Sequence, residues 1–226
     1  LRLSPAGFAE SAIALILLLA SVRHLLPRGA LRFARGLPTS VMMRGLVAAA
    51  YFSAEVFIPL ALTETRGLNV TQAGLVLAMS AALWSAGSWA QSRIAPGKDR
   101  SGAVRIGAAI VTVSLLTLPL ALWEGVSPYV AALSWALGAF GMGLAVPSIS
   151  VQVMRLSPES DLGVNSSAIQ IIDSVMGVLV VSVLGLGHAA AVASGGASAG
   201  TYAGLWCAAA LVSLSAVVLA GRMRPV

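Results

Sequence analysis

The stretch LVAAAYFSAEVFIPLAL, residues 46–62, decides the fold. It is almost unbroken apolar sequence with one carboxylate, Glu55, near its middle. A charge in hydrocarbon costs roughly 2.5–3.5 kcal/mol on insertion scales, so the meaning of Glu55 depends on the solvent around it. Composition identifies that solvent. The chain is 58% hydrophobic and 10% charged, with a mean hydropathy of +0.91. Soluble domains carry about 25% charged residues, and a chain this poor in charge cannot cover a water-facing surface. Lipid fits. The net charge of +6 does not imply nucleic acid. The basic residues sit in short gaps between apolar runs, not on one folded face interleaved with stacking aromatics.

A spanning helix needs about 20 mostly apolar residues. Seven runs qualify, at 6–23, 41–62, 71–92, 103–123, 129–154, 164–187 and 201–221. They are too long and lack the period of two that a membrane barrel requires. Lys/Arg content tests the count, because alternate gaps should differ. Twelve of the fourteen basic residues fall in one set of gaps and ends, and only Arg2 and Arg66 in the other. The basic set is expected to be cytoplasmic, which puts the carboxyl terminus inside and residue 1 outside. The chain starts at Leu1 rather than Met, so an upstream portion is expected; with six further runs following, 6–23 reads as a membrane helix rather than a signal peptide. The single Lys against thirteen Arg, with abundant Ala and Gly, fits a GC-rich bacterial genome. The basic gap LLPRGALRFARGLPTS (25–40) reads as a linker with one interfacial helical turn around Leu31 to Arg35, and AVASGGASAG (191–200) as a flexible loop. Neither could hold a soluble catalytic domain. NVT at 69–71 is too short a match to be read as a glycosylation site.

Two acids lie well inside runs, Glu55 and Asp173. Tyr51, Phe52 and Pro59 share a helical face with Glu55, and Arg44 lies eleven residues earlier on that side. Pro59 removes the helical donor for the Glu55 carbonyl and is expected to kink the helix. Intramembrane acids mark functional sites by default, so Glu55 is the leading proton or ligand candidate. In SSAIQIIDSVMG (166–177), Ser166, Gln170, Asp173, Ser174 and Gly177 form one polar stripe. Ser166 and Ser174 read as interhelical hydrogen-bonding residues, whereas Gln170 and Asp173 read equally as glue or as functional groups. The glycines of GAFGMG (138–143) and GVLVVSVLGLG (177–187) are expected to permit close helix approach. Pro147, preceded by Gly143, is expected to bend the fifth run. Trp84, Trp89, Trp123 and Tyr129 suit interfacial anchoring, and Cys207 suits packing. GLGHAA (185–190) matches a dinucleotide fingerprint only formally, since no βαβ context surrounds it. His24 and His188 stand singly at run ends, and there is no hydrolytic or redox motif. No enzyme activity, cofactor or metal is expected.

Without the first run, the remaining six divide into two triplets, the second inverted relative to the first. Pro59 and Pro147 each fall about nineteen residues into the leading run of a triplet. Interrupted helices at matching places point to inverted repeats around a midplane site.

Here GLPTSVMMRGLVAAAYFSAEVFIPLALTETRGLNVTQAGL (36–75), GSWAQSRI (87–94), ALGAFGMGLAVPSISVQVMRLSP (136–158) and NSSAIQIIDSVMG (165–177) together resemble the carboxyl-terminal half of a major facilitator superfamily transporter, most closely the bacterial proton-coupled multidrug exporters. The resemblance implies an all-α membrane protein of seven transmembrane helices, six of them forming one half-bundle of two inverted three-helix repeats. Residues 1–26 would then end the amino-terminal half, 27–40 form the cytoplasmic linker and 41–226 the carboxyl-terminal bundle. The second and fifth runs would line a central cavity. Glu55, Asp173, Gln170, Tyr51 and Arg44 become candidates for binding proton or substrate, and Pro59, Pro147 and Gly143 for helix breaking or gating. The family's loop signature is only partly met: Gly87 and Arg93 are present, but Gln91 stands where an acid is expected.

The expected function is part of a secondary transporter in a bacterial cytoplasmic membrane. It would move a small solute by proton-coupled antiport, together with an amino-terminal half of the same protein. The alternative is a polytopic scaffold or sensor that transports nothing.

Overall fold

A computed structural model describes Leu17 and residues 20–225. The described residues are helical with connecting turns and contain no strand. Residues 20–25 are helical (α1), and the rest of the run at 6–23 lies outside the described residues except Leu17. The interfacial turn in the linker covers Ala30–Arg32, slightly earlier than its sequence suggests. The main elements follow as α2 (Leu37–Glu55), α3 (Phe57–Arg66), α4 (Val70–Ala78), α5 (Ser80–Ser92), α6 (Ser101–Thr117), α7 (Val130–Leu156), α8 (Leu162–Ala193) and α9 (Ala199–Leu219). They make six stretches long and apolar enough to span a membrane: Leu37–Arg66, Val70–Ser92, Ser101–Leu122, Val130–Leu156, Glu159–Ala193 and Ala199–Met223. In lipid, helices are favoured because each backbone donor is satisfied within its own segment.

The ends follow local chemistry. α3 stops at Gly67, whose φ of 67° is the left-handed cap that glycine adopts without strain. Asn69 accepts from the Gln72 backbone while the Gln72 side chain accepts from Asn69 N–H, a capping box that starts α4. That pairing gives the NVT motif a structural role. Ser198 and Thr201 start α9 in the same way.

The two prolines behave differently. Pro59 has no N–H for the Glu55 carbonyl, and the helix is interrupted at Val56. α7 instead runs without interruption through Pro147 over 27 residues. A second interruption at Met79, separating α4 from α5, has no proline or glycine behind it.

Packing is reciprocal between the triplets. The leader α2 lies chiefly on α8 and α9, which belong to the other triplet, and α7 lies chiefly on α5 and α6. The leaders also touch each other. Small residues make this possible. A Cβ on Gly143 would sit 2.1 Å from the Trp84 carbonyl oxygen, and one on Gly87 would sit 2.2 Å from that of Phe140. Between α6 and α7, a Cβ on Gly107 or Gly141 would sit 2.6 Å from the other's carbonyl oxygen. The GAFGMG segment therefore does permit close approach. Its counterpart at 177–187 does not: Gly177 and Gly185 meet nothing within 4 Å, and Gly187 only Leu205. α8 is the least enclosed span, because its outer faces lie away from α2.

Polar side chains bind the helices where backbone carbonyls are within reach. Ser114 donates to the Ser134 carbonyl at 2.6 Å, Ser213 to that of Ala108 at 2.9 Å, and Trp206 Nε1 to that of Ala54 at 3.3 Å. Three expectations need correction. Trp84 does not sit free at an interface; it packs edge-on to Tyr51, with ring centroids 6.3 Å apart. Cys207 faces outward instead of packing inside. His24 and His188 are not alone: Arg23 Nε donates to His24, and His188 meets the Tyr202 hydroxyl. Trp89, Trp123 and Tyr129 are exposed, as interfacial anchors should be.

Candidate functional site

Within the spans, one pair of opposite charges meets at the contact between α2 and α8. Arg44 Nη2 lies 2.7 Å from Asp173 Oδ2, and Arg44 Nε donates to the same oxygen at 2.9 Å. The side chains are 17% and 23% exposed, so the pair is mostly withdrawn from solvent. Gly45, next to Arg44, lets α2 approach α8 closely enough for this, since a Cβ there would be 2.9 Å from the Ile172 carbonyl oxygen. Arg44 is thus committed to Asp173. It lies eleven residues from Glu55, about 16 Å along a helix, and does not serve as that acid's partner.

The stripe on α8 lies where periodicity puts it. Asp173 turns toward Arg44, while Ser166, Gln170 and Ser174 stay exposed. Ser174 Oγ donates to the Gln170 carbonyl at 3.0 Å. A polar stripe at this depth needs water or protein beside it, because acyl chains offer no hydrogen bonds.

Glu55 is the last residue of α2, half-buried at the interruption that Pro59 creates. Among the described residues no ion pair reaches it. Tyr51, one turn earlier, is buried in the core instead. Its ring stacks on Trp135 at 3.8 Å between centroids, and its hydroxyl donates to the Trp135 carbonyl at 3.3 Å. Tyr51 therefore joins the two leaders and does not present its hydroxyl to a cavity. Pro147 lies within unbroken α7, and Gly143 lies at the tight crossing of α7 over α5.

Two clusters went unread in the sequence, one at each end of the bundle. At the basic end, Asp99 accepts from Ser101 N–H at 3.1 Å and from Ser101 Oγ at 2.5 Å. It also accepts from Gln152 Nε2 at 3.1 Å and Arg224 Nε at 2.8 Å, with Arg155 3.8 Å away. Burial opposes ionisation of Asp99. Hydrogen bonds from Ser101 and Arg224, with the charge of that guanidinium, outweigh burial and hold the carboxyl below its usual range. Gln91, standing where the loop signature wants an acid, accepts from Arg100 Nη1 at 2.9 Å. Asp99 supplies the charge for this region from eight residues further on. Its position just before the start of α6 is a helix-start signal that could have revealed it. At the charge-poor end, Tyr202 donates to Glu64 Oε2 at 2.5 Å, and His188 Nε2 lies 3.1 Å from the same hydroxyl. No local pattern links residues 64, 188 and 202; only the tertiary fold does.

The comparison with curated proteins found no match. The sequence model of the Major Facilitator Superfamily matches residues 4–181, and the chain belongs to that superfamily of membrane transporters.

Proposed function

We propose that this superfamily member forms part of a secondary active transporter that exchanges a small solute for protons by alternating access. The observation that carries this reading is the Arg44–Asp173 pair. It lies between two spanning helices, with the exposed polar stripe of α8 beside it and Glu55 further along α2 at the interruption before Pro59. Charges placed so expensively need a use, and transport supplies one. The twelve-to-two partition of Lys and Arg supports a cytoplasmic carboxyl terminus, and the composition supports a bacterial cytoplasmic membrane.

In this mechanism Glu55 takes the coupled proton or binds a cationic solute. As a carboxylate in partly desolvated surroundings it needs a partner; once protonated it does not. That difference favours different helix arrangements in the two forms, which biases the rocking equilibrium. Arg44 holds Asp173 and so holds α8 on α2. Gln170 offers an uncharged donor and acceptor on the same stripe. Protons, a small solute, the bilayer and an amino-terminal half of the same protein are the partners this scheme requires.

The test is Glu55→Gln in the intact protein, reconstituted in proteoliposomes. Flux driven by a pH gradient should fall at least about tenfold, while exchange without a gradient persists. Undiminished gradient-driven flux would remove Glu55 from coupling.

A further inference from the structure

We propose that Glu64, Tyr202 and His188 form a proton-binding relay at the charge-poor end of the bundle, separate from Glu55 and the Arg44–Asp173 pair. The three side chains come from three helices, α3, α9 and α8. Tyr202 is fully buried, His188 is half-buried and Glu64 is exposed. The series therefore runs from solvent through a buried hydroxyl to a half-buried imidazole.

The geometry sets the direction of each bond. A tyrosine hydroxyl has one proton, and Tyr202 gives it to Glu64 Oε2. While it does so its oxygen can only accept from His188, so in that state Nε2 of the imidazole carries a proton. The ring of His188 also lies 5.7 Å from that of Phe57, just past the Val56 interruption. The inner terminus of the relay thus touches the segment that begins at the break.

The transfer balances without a further reactant. Moving outward, the Nε2–H bond of an imidazolium breaks as its proton joins the Tyr202 oxygen. The original Tyr202 proton passes to the Glu64 carboxylate. Tyrosine is regenerated, histidine becomes neutral and the carboxylate becomes an acid. Moving inward, Glu64 takes a proton from bulk water and passes it to the Tyr202 oxygen. The Tyr202 proton then moves to Nε2 of a neutral imidazole protonated on Nδ1. In either direction one proton crosses a buried phenol, and the three helices stay linked by hydrogen bonds.

The charged neighbours leave this group to itself. Arg66, two residues from Glu64, donates to the carbonyls of Ala121 at 3.0 Å and Val126 at 2.8 Å, and also to that of Trp123. Glu124 lies in that same connection. On α2 the titratable groups are Glu55, Tyr51 and the paired Arg44; on α8, besides His188, only Asp173; on α9, besides Tyr202, only the outward-facing Cys207. Among the described residues no salt bridge reaches Glu64 or His188.

Infrared difference spectroscopy of the intact protein in lipid nanodiscs, titrated between about pH 3 and pH 8, tests the relay. The wild type should show a carboxyl band that Glu64→Gln removes and an imidazole band that His188→Gln removes, each perturbed when the other group titrates. In Tyr202→Phe both bands should persist without that mutual perturbation. Mutual perturbation that survives Tyr202→Phe, or a carboxyl band unaffected by Glu64→Gln, overturns the relay. Should Tyr202→Phe fail to fold, exposed Glu64 still decides: the Glu64→Gln change must move the imidazole midpoint, and an unmoved one refutes the proposal. Glu55→Gln should leave both bands in place. Loss of coupling through Glu55 and loss of the relay are therefore separately visible.

Discussion

The contact of α7 with α5 and the contact of α2 with α8 occupy matching places in the two triplets. In each, a leading helix lies on the second span of the opposite triplet. They are built on different physics. Between α7 and α5, Gly143 and Gly87 bring backbone against backbone, with no room for a methyl group. Between α2 and α8, one glycine, Gly45, stands beside an arginine that pairs with an aspartate. Dispersion at a close-packed seam does not change with pH or with a bound cation. An ion pair withdrawn from water depends instead on both partners staying charged and in place. One packing scheme thus yields a glycine seam and an ion-paired one, and the ion-paired one carries the polar stripe; the proposed transport cycle makes the first the fixed seam and the second the switchable one.

The comparison breaks most visibly at the ion pair. Arg44→Leu, leaving Asp173 unpaired, should cost about 3–5 kcal/mol of stability in detergent unfolding. The double change Arg44→Leu with Asp173→Leu should recover most of that. A single substitution no worse than the double would mean that the pair does not hold the seam.

Next in size is the fixed seam. Gly143→Ala should cost about 1–3 kcal/mol, because the obstacle is the backbone carbonyl of Trp84. Gly45→Ala should cost less, about 1 kcal/mol. Its nearest obstacle is the flexible end of Met176, although the Ile172 carbonyl follows at 2.9 Å. Thermal unfolding of the two variants side by side checks the order. Gly143→Ala should lower the yield of folded protein without altering the pH profile of transport.

The smallest effect is expected at Asp99, where the carboxyl titrates at lower pH when folded than when unfolded. A depressed value stabilises the fold above the unfolded value, about 3.9. The contribution disappears as pH falls through the folded value. Arg224 is 66% exposed, so solvent screens its part and the total stays under about 1 kcal/mol. Asp99→Asn should lower the unfolding temperature at neutral pH by a degree or two. It should converge with wild type in acid; a constant offset at all pH values would contradict this.

Much of the architecture could be read from hydropathy. Six spans and the partition of basic residues were visible because lipid imposes length and charge rules that act locally. The meeting of Asp99 with Arg155 and Arg224 at one end, and of Glu64 with His188 and Tyr202 at the other, agrees with that alternation. The break before Pro59 was readable, because proline removes a specific donor. The break at Met79 was not, having no breaker residue. Site residues divided in the same way. Glu55 and Asp173 stood out as acids in apolar runs. The pairing of Asp173 with Arg44 did not, since it crosses 129 residues, and neither did that of Glu64 with Tyr202, which crosses 138. Tyr51 shares a helical face with Glu55 in sequence, but the stacked Trp135 takes it into the core.

The most direct test of the fixed and switchable seams is a pair of spin-label distances in the intact, reconstituted protein, measured across the pH range of transport. One pair, at exposed Phe52 on α2 and Val178 on α8, reports the ion-paired contact; the other, at exposed Leu83 on α5 and Leu137 on α7, reports the glycine contact. The first distance should shift by about 2 Å or more with pH or solute, and the second should hold still. Two distances that move together, or a glycine contact that moves while the ion-paired one stays fixed, would contradict the account.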